Sequence, residues 1–291
     1  MKNPLTPKQV ARAIGVSESS LKRWCDRGLI PTVRTAGGHR RLPLAGVLRF
    51  LRENEHRLER PEILGLPAST GQGEWTLSRA REHLLRGLVA GDETVCRQVI
   101  FDLYLAEQSI ATICDEVIAE AFREIGDQWD CGNVEIYQER RGCEIASRLL
   151  FELQLALPAP AADAPTAIGG TPEGDPYSLS TGMVALALRD LGWRATSLGS
   201  MLPFSTLKAA VANGRPKLFW LSVSAIDHRE QFLQQYEELF EEFSPQVAIV
   251  VGGRALTEDV RQQMRYAAYC DNLRHLSSFA TLLHAQTEPI G

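Results

Sequence analysis

Apolar residues recur at helical spacing in the first quarter of the chain and along four longer stretches in the middle, then gather into short runs alternating with helical segments. Thr6-Pro7 supplies an N-cap residue and a proline for the first helical position, and Val10, Ala13 and Ile14 follow at helical spacing as far as Gly15. Ser17 caps a second short helix carrying Ser19, Ser20, Lys22, Arg23 and Trp24, which closes at Gly28. Ile30 to Leu42 reads as two strand-like arms around Gly37-Gly38, and Pro43 to about Glu55 as a helix buried through Val47, Leu48 and Leu51.

The middle of the chain predicts helices over 78–90, 92–106, 109–126 and 133–155, with breaks at Gly91-Asp92, Gln108-Ser109 and Gly126 to Gly132. Ile110, Ile113, Val117, Ile118 and Ala121 show the apolar face of a bundle helix, and Trp129 is expected on the turn before the last helix. Beyond residue 165, strands are predicted at 166–170, 194–198, 218–223, 247–251 and about 269–271. Helices at 178–191, 203–213, 229–243, from about 257 and from 273 alternate with them. That alternation implies a doubly wound parallel sheet, which binds ligands at the carboxyl ends of its strands.

The expected fold class is therefore multidomain α and α/β. A winged helix-turn-helix covers 1–60, a four-helix bundle 78–157 and a flavodoxin-like α/β domain 166–291. Residues 61–77 and 158–165, rich in Pro, Gly and small residues, are expected to be linkers, the first of which lets the head reposition.

Charge sharpens this division. The chain of 291 residues carries a net charge of −5, but residues 1–60 hold 13 Lys/Arg against 5 Asp/Glu, leaving 18 against 31 for the rest. A basic head on an acidic body suits a nucleic-acid-binding module joined to a non-binding one. In a helix-turn-helix, Ser19, Ser20, Lys22 and Arg23 would meet base edges, while Arg34, Thr35, His39, Arg40 and Arg41 on the basic wing would meet phosphates. The six cysteines form no Cys-x-x-Cys pair, so neither a zinc site nor a disulfide framework is suggested. No apolar run reaches membrane-spanning length and the N-terminus has no apolar signal region, so no membrane partner and a cytoplasmic location are expected.

The head resembles the winged helix-turn-helix of MerR-family transcription regulators. The resemblance rests on Val10 to Val16, Leu21-Lys22-Arg23-Trp24, Gly28-Leu29-Ile30-Pro31 and Gly37-Gly38-His39-Arg40-Arg41. Residues 78–285 resemble the cobalamin-binding module of methionine synthase and of the CarA/CarH/LitR group of MerR regulators. The matching stretches are Gly182-Met183-Val184-Ala185, Gly192-Trp193, Leu198 to Pro203, Ile249 to Gly253 and Asp271-Asn272-Leu273. This resemblance implies that Trp129 and Glu139 cap the upper face of the cofactor. Independently of the resemblance, the strand-end loops around Asp175, at Ser222 to Ala225 with Ser224, and at Gly252-Gly253-Arg254 carry small residues that would let a large planar or nucleotide-like ligand approach the backbone.

Departures from that pattern concern one site. The family loop is Asp-x-His-x-x-Gly, its histidine ligating cobalt, whereas this chain has Asp175, Tyr177 and Ser180 in the same frame. Neutral imidazole ligates transition metals well, while a phenol with a pKa of about 10 must first lose its proton. The family's Glu-His in the cap is Glu139-Arg140 here, no histidine follows Trp129, and no dedicated metal ligand is assigned. The expected function is a sequence-specific DNA-binding regulator, a repressor, acting on promoter DNA as a homo-oligomer, dimer or tetramer, under a small-molecule or protein effector. Two alternatives stay open: an adenosylcobalamin-dependent light sensor, or the same module reused for another tetrapyrrole. With no phosphate-binding glycine loop and no nucleophile–base pair, an enzyme is not expected.

Overall fold

A computed structural model describes residues 4–54, 56–71 and 75–285, which fold as two compact units, Met1–Pro158 and Ala159–Gly291. The unit boundary falls at the start of the expected 158–165 linker.

The first unit opens with α1 (Pro7–Ile14) and α2 (Glu18–Asp26). Thr6 and Gln9 form a reciprocal capping box on α1, and Gly15, at φ 75°, takes the left-handed position that ends the helix. Ser17 Oγ accepts from the Ser20 amide at the start of α2. The wing is a two-stranded antiparallel ribbon, β1 (Val33–Arg34) with β2 (Arg40–Arg41), turning through Thr35 to His39. α3 (Leu44–Glu53) closes the head core with buried Val47, Leu48, Phe50 and Leu51.

Residues 61–71 correct the expectation of a free linker. Pro61–Leu64 form a 3-10 turn, and Pro61, Leu64, Leu66 and Thr70 are buried. Arg97 Nη1 donates to the Gly65 carbonyl at 2.5 Å, and the Gly71 amide to Asp102 Oδ1 at 2.6 Å. Asp102, only 3% exposed, also accepts from Trp75 Nε1 at 2.7 Å. The turn at Pro61–Leu64 thus packs against α1 of the head, while Arg97 and the buried Asp102 carboxylate hold Gly65 and Gly71 to the bundle, and residues 72–74 of the expected linker lie outside the described residues.

The bundle comprises α4 (Leu77–Ala90), α5 (Glu93–Leu105), a third helix and α8 (Ile136–Ala156). The third helix is continuous from α6 (Ile110–Thr112) through a π-helical stretch (Ile113–Ala119) into α7 (Glu120–Asp130). It does not stop at Gly126 as expected: an interior glycine costs only about 1 kcal/mol, and the chain turns instead at Gly132, where φ is 72°. Trp129 thus occupies the last turn of α7 rather than the connection. α3 packs against α5 and α8, so head and bundle share one body.

The second unit is a five-stranded parallel sheet in the order β4-β3-β5-β6-β7. Its strands are β3 (Thr166–Gly170), β4 (Arg194–Ser197), β5 (Leu218–Ser222), β6 (Ala248–Gly252) and β7 (Ala268–Tyr269). The connecting helices are α9 (Ser178–Asp190), α10 (Phe204–Gly214), α11 (Arg229–Phe243), the short α12 (Glu258–Arg261) and α13 (Leu273–Ala285). Strand order switches between β3 and β5, which makes their carboxyl ends the natural ligand position. Phe219, Leu221 and Val223 pack into the core cluster that contains Phe204, Leu207, Phe232 and Tyr236 of α10 and α11. Side chains alternate along a strand, so Leu218, Trp220 and Ser222 project to the other face, beside α9.

Candidate functional site

Two sites can be built from the fold, one on the head and one at the carboxyl edge of the sheet.

On the head, Ser19, Lys22 and Arg23 are exposed on α2. Ser19 and Ser20 share their hydroxyls with Ser17, at 2.8 Å and 2.9 Å, so both also serve the helix start. Lys22 pairs with Glu18 one turn back at 2.9 Å, which leaves Arg23 as the cation of α2 with no ion pair among the described residues. On the wing, Arg34, Thr35 and His39 are exposed, and Thr35 fixes the turn by accepting from the His39 amide at 3.2 Å.

Arg40 departs from its expected role. Its Nη2 donates to Asp26 Oδ1 at 2.6 Å and its Nη1 to the Lys22 carbonyl at 3.4 Å. It ties the wing to the end of α2 rather than pointing free toward phosphate. Arg41 is half-buried, with Nη1 on the carbonyl of Arg40. Neither Asp26 nor this latch was legible in the sequence, since 14 residues separate the pair.

At the sheet edge, Asp175 is fully buried and holds two loops together. Its Oδ1 accepts from the Tyr177 amide at 3.0 Å, and its Oδ2 from the amides of Ser224 and Ala225 at 2.5 Å and 3.3 Å. Its own carbonyl accepts from Thr171 Oγ1 and the Met201 amide. Burial pushes the Asp175 carboxyl above its ordinary value, with the Ser224, Tyr177 and Ala225 amides and the Arg254 guanidinium opposing. Asp175, expected to meet a cofactor, serves here as the clasp that sets the loop.

Tyr177, partly exposed, lies beneath the Arg254 guanidinium, 4.9 Å from ring centroid to Cζ, and Arg254 Nε donates to the Ser224 carbonyl at 3.2 Å. Nothing in the sequence singled out Arg254 as a site residue. Ser222 Oγ donates to Ser180 Oγ at 3.0 Å. Gly253 adopts φ 117°, and a Cβ there would collide with the backbone of Val223, while one on Gly252 would stand 2.6 Å from the Cys270 carbonyl oxygen. Both glycines are thus required by the strand ends themselves before any ligand is considered.

In the bundle, Trp129 is 50% exposed. Glu139, largely covered, pairs with Arg140 Nε at 3.4 Å and accepts from Cys143 Sγ at 3.3 Å. Burial, with Glu139 beside it, pushes the Cys143 thiol up to about 12. Ile136 and Tyr137, also exposed, flank the same turn as Trp129.

These groups were tested against the corrinoid that the fold implies. Tyr177 offers no neutral nitrogen, Asp175 spends its lone pairs on amides, and no cluster of three or more His, Cys, Asp or Glu suited to a metal ion exists among the described residues. The residues at the sheet edge do not fit cobalt ligation from below. Among the described residues, no helix is long and apolar enough to cross a membrane.

Comparison with known proteins agrees with this layout. Residues 4–55 match the helix-turn-helix domain family and residues 80–154 the B12 binding domain family. The HTH-type transcriptional repressor CarA of Myxococcus xanthus is 25% identical over 265 residues, covering 87% of this chain and 88% of CarA. The HTH-type transcriptional repressor CarH of the same organism is 27% identical over 175 residues, 60% of this chain and 58% of CarH. In fold, the chain matches the monomethylamine corrinoid protein of Methanosarcina barkeri with a TM-score of 0.59 at 16% identity, over 72% of this chain and 100% of that one. The chain thus matches a helix-turn-helix domain followed by a B12 binding domain and is similar to the CarA and CarH repressors.

Proposed function

We propose that the protein is a sequence-specific DNA-binding transcription regulator, a repressor, that reads promoter DNA through α2 and its wing. One observation carries this: the wing is fastened to α2 by Arg40, so that Arg23 on the helix and Arg34 and His39 on the wing are held in one exposed basic unit. Phosphate contacts from the wing supply affinity and register, and base contacts from α2 supply sequence preference. One recognition helix makes few base contacts, so the reading includes a dimer or tetramer on paired half-sites. The similarity to CarA over most of both chains supports it. A gel shift on the DNA upstream of its own gene tests the reading. Specific retention at moderate salt, lost on substituting Arg23 and Arg34 together, is expected; binding no tighter than to unrelated DNA would refute it.

A second reading, that the protein takes a corrinoid, is favoured by the B12 binding domain match over 80–154, in the bundle. Within the bundle, the half-exposed Trp129 and the largely covered Glu139 are the residues that such a ligand would meet. Since no imidazole stands at Tyr177, this reading requires a cobalt not ligated from the sheet side by histidine. A protein peak that stays colourless after mixing with adenosylcobalamin in darkness would remove it.

A further inference from the structure

On the α9 face of the sheet, Trp220 of β5, which is 2% exposed, pairs in register with Gly169 of β3 on one side and Val250 of β6 on the other, and meets Thr181 of α9. Gly169 pairs with Trp220 in the register of the sheet, and a Cβ at Gly169 would overlap the ring atoms Cδ2 and Cγ of Trp220. The indole therefore lies against the glycine backbone, in the space a side chain would take. Its Nε1 donates to Thr181 Oγ1 at 2.9 Å, and Thr181 in turn shares a hydrogen bond with Ser197 Oγ at 3.2 Å. A buried indole needs a partner for its N–H, and this hydroxyl pair supplies it. Nearer the loop, the Ser222–Ser180 bond at 3.0 Å bridges the strand end to the first turn of α9.

We infer that the interior between α9 and the sheet is filled by the protein's own Trp220 and closed above by the Ser180–Ser222 bridge, so that the module admits no corrinoid nucleotide tail there. Without the indole, this interior would hold a ligand or forfeit packing, because protein cores are close-packed. Trp220 takes the occupant's place. The module keeps its form without a bound group, and any corrinoid that binds does so through its ring face. The inference concerns the second unit alone and is independent of DNA binding, which a gel shift on the same preparation checks separately.

The experiment uses the full chain with two probes, hydroxocobalamin, which carries the nucleotide tail, and cobinamide, which lacks it. Each is mixed with the protein in darkness, and absorbance is read on the protein peak after gel filtration. Equal retention of both, including none of either, is expected; cobalamin retained at least about tenfold more tightly than cobinamide would overturn the inference. Trp220→Gly provides a second readout. It should lower the unfolding midpoint, and free indole should restore part of the loss by refilling the space, as small aromatics enter dry engineered cavities. Indole should leave the wild type unchanged. A folded Trp220→Gly protein with an unaltered midpoint would show that the indole fills nothing and would also overturn the inference. Should that variant not fold, the comparison of the two corrinoids on the wild type still decides.

Discussion

The bond between Arg40 and Asp26 makes a prediction of unusual sign. Asp26 is an acidic residue at the end of the helix proposed to read DNA, and deleting a negative charge near DNA ordinarily strengthens binding. Here the carboxylate holds Arg40 Nη2 at 2.6 Å, with side-chain exposures of 61% for Asp26 and 25% for Arg40. Such a partly exposed pair is worth about 0.5–1 kcal/mol. If that energy fixes the wing against α2, Asp26→Ala should weaken specific binding about two- to fivefold. Arg40→Gln should do the same, and the double variant should be no worse than either. The head should remain folded, because buried Leu21, Leu42, Val47 and Leu48 are untouched. The assay is affinity for the specific site against salt concentration. A latch leaves the slope of log affinity on log salt unchanged, whereas loss of one phosphate contact lowers its magnitude by about 0.9. The reasoning fails if Asp26→Ala binds as well as or better than wild type while Arg40→Gln alone reduces the slope.

Gly253→Ala should destabilise the protein by about 2–4 kcal/mol in denaturant unfolding, since φ 117° and the approach to the Val223 backbone leave no room for a Cβ. Asp175→Asn should remove a pH-dependent contribution: with its folded pKa raised above 3.8, the wild-type carboxyl favours folding most when protonated, and that part is lost as pH rises through the folded value. Urea midpoints of wild type and variant should accordingly draw together as pH rises above 3.8 toward neutrality, and a gap that stays constant over that range would contradict the assignment. Arg52→Ala should loosen α3 from the bundle, because Arg52 donates to the Glu107 carbonyl at 3.3 Å and stacks on Tyr104 at 4.7 Å; faster amide exchange in α3 checks it.

Much of the fold was legible because it is written in local signals. Thr6-Pro7, Gly15 and Ser17 specify where α1 and α2 begin and end through their own side chains and backbone freedom, and the alternation beyond residue 165 suffices for a parallel sheet. What stayed hidden depends on partners far along the chain. Pro61, Leu64 and Leu66 have no period and read as a linker, yet Arg97 and Asp102, about thirty residues away, draw that segment onto the bundle. Gly126 looked like a stop because glycine is a poor helix former, but one interior glycine does not outweigh the packing of the apolar face through Ile125. Asp175 and Tyr177 were recognised as a pair of interest, but that Asp175 faces inward to amides 49 and 50 residues on follows only from the β3–β5 register. The same register sets Trp220 over Gly169, which is why a buried strand tryptophan told nothing in sequence.

Helix α3 connects these observations to control of DNA binding. One side of it completes the head core through Val47, Leu48 and Leu51, and it also packs on α5 and α8, so the reading surface and the bundle belong to one compact unit. A tethered head could adapt to any half-site spacing, and a change in the C-terminal half would reach it only by altering local concentration. A head seated on the bundle takes its orientation from the bundle instead. In the proposed oligomer, the distance between two recognition helices then follows from how the bundles meet, and whatever alters that meeting alters which operator spacing fits. If the exposed end of the bundle at Trp129, Ile136 and Tyr137 takes part in that meeting, it would set DNA affinity in the proposed oligomer without touching DNA. A module closed internally by Trp220 can still take part in such control, because the relevant variable is the surface it presents rather than the group it encloses.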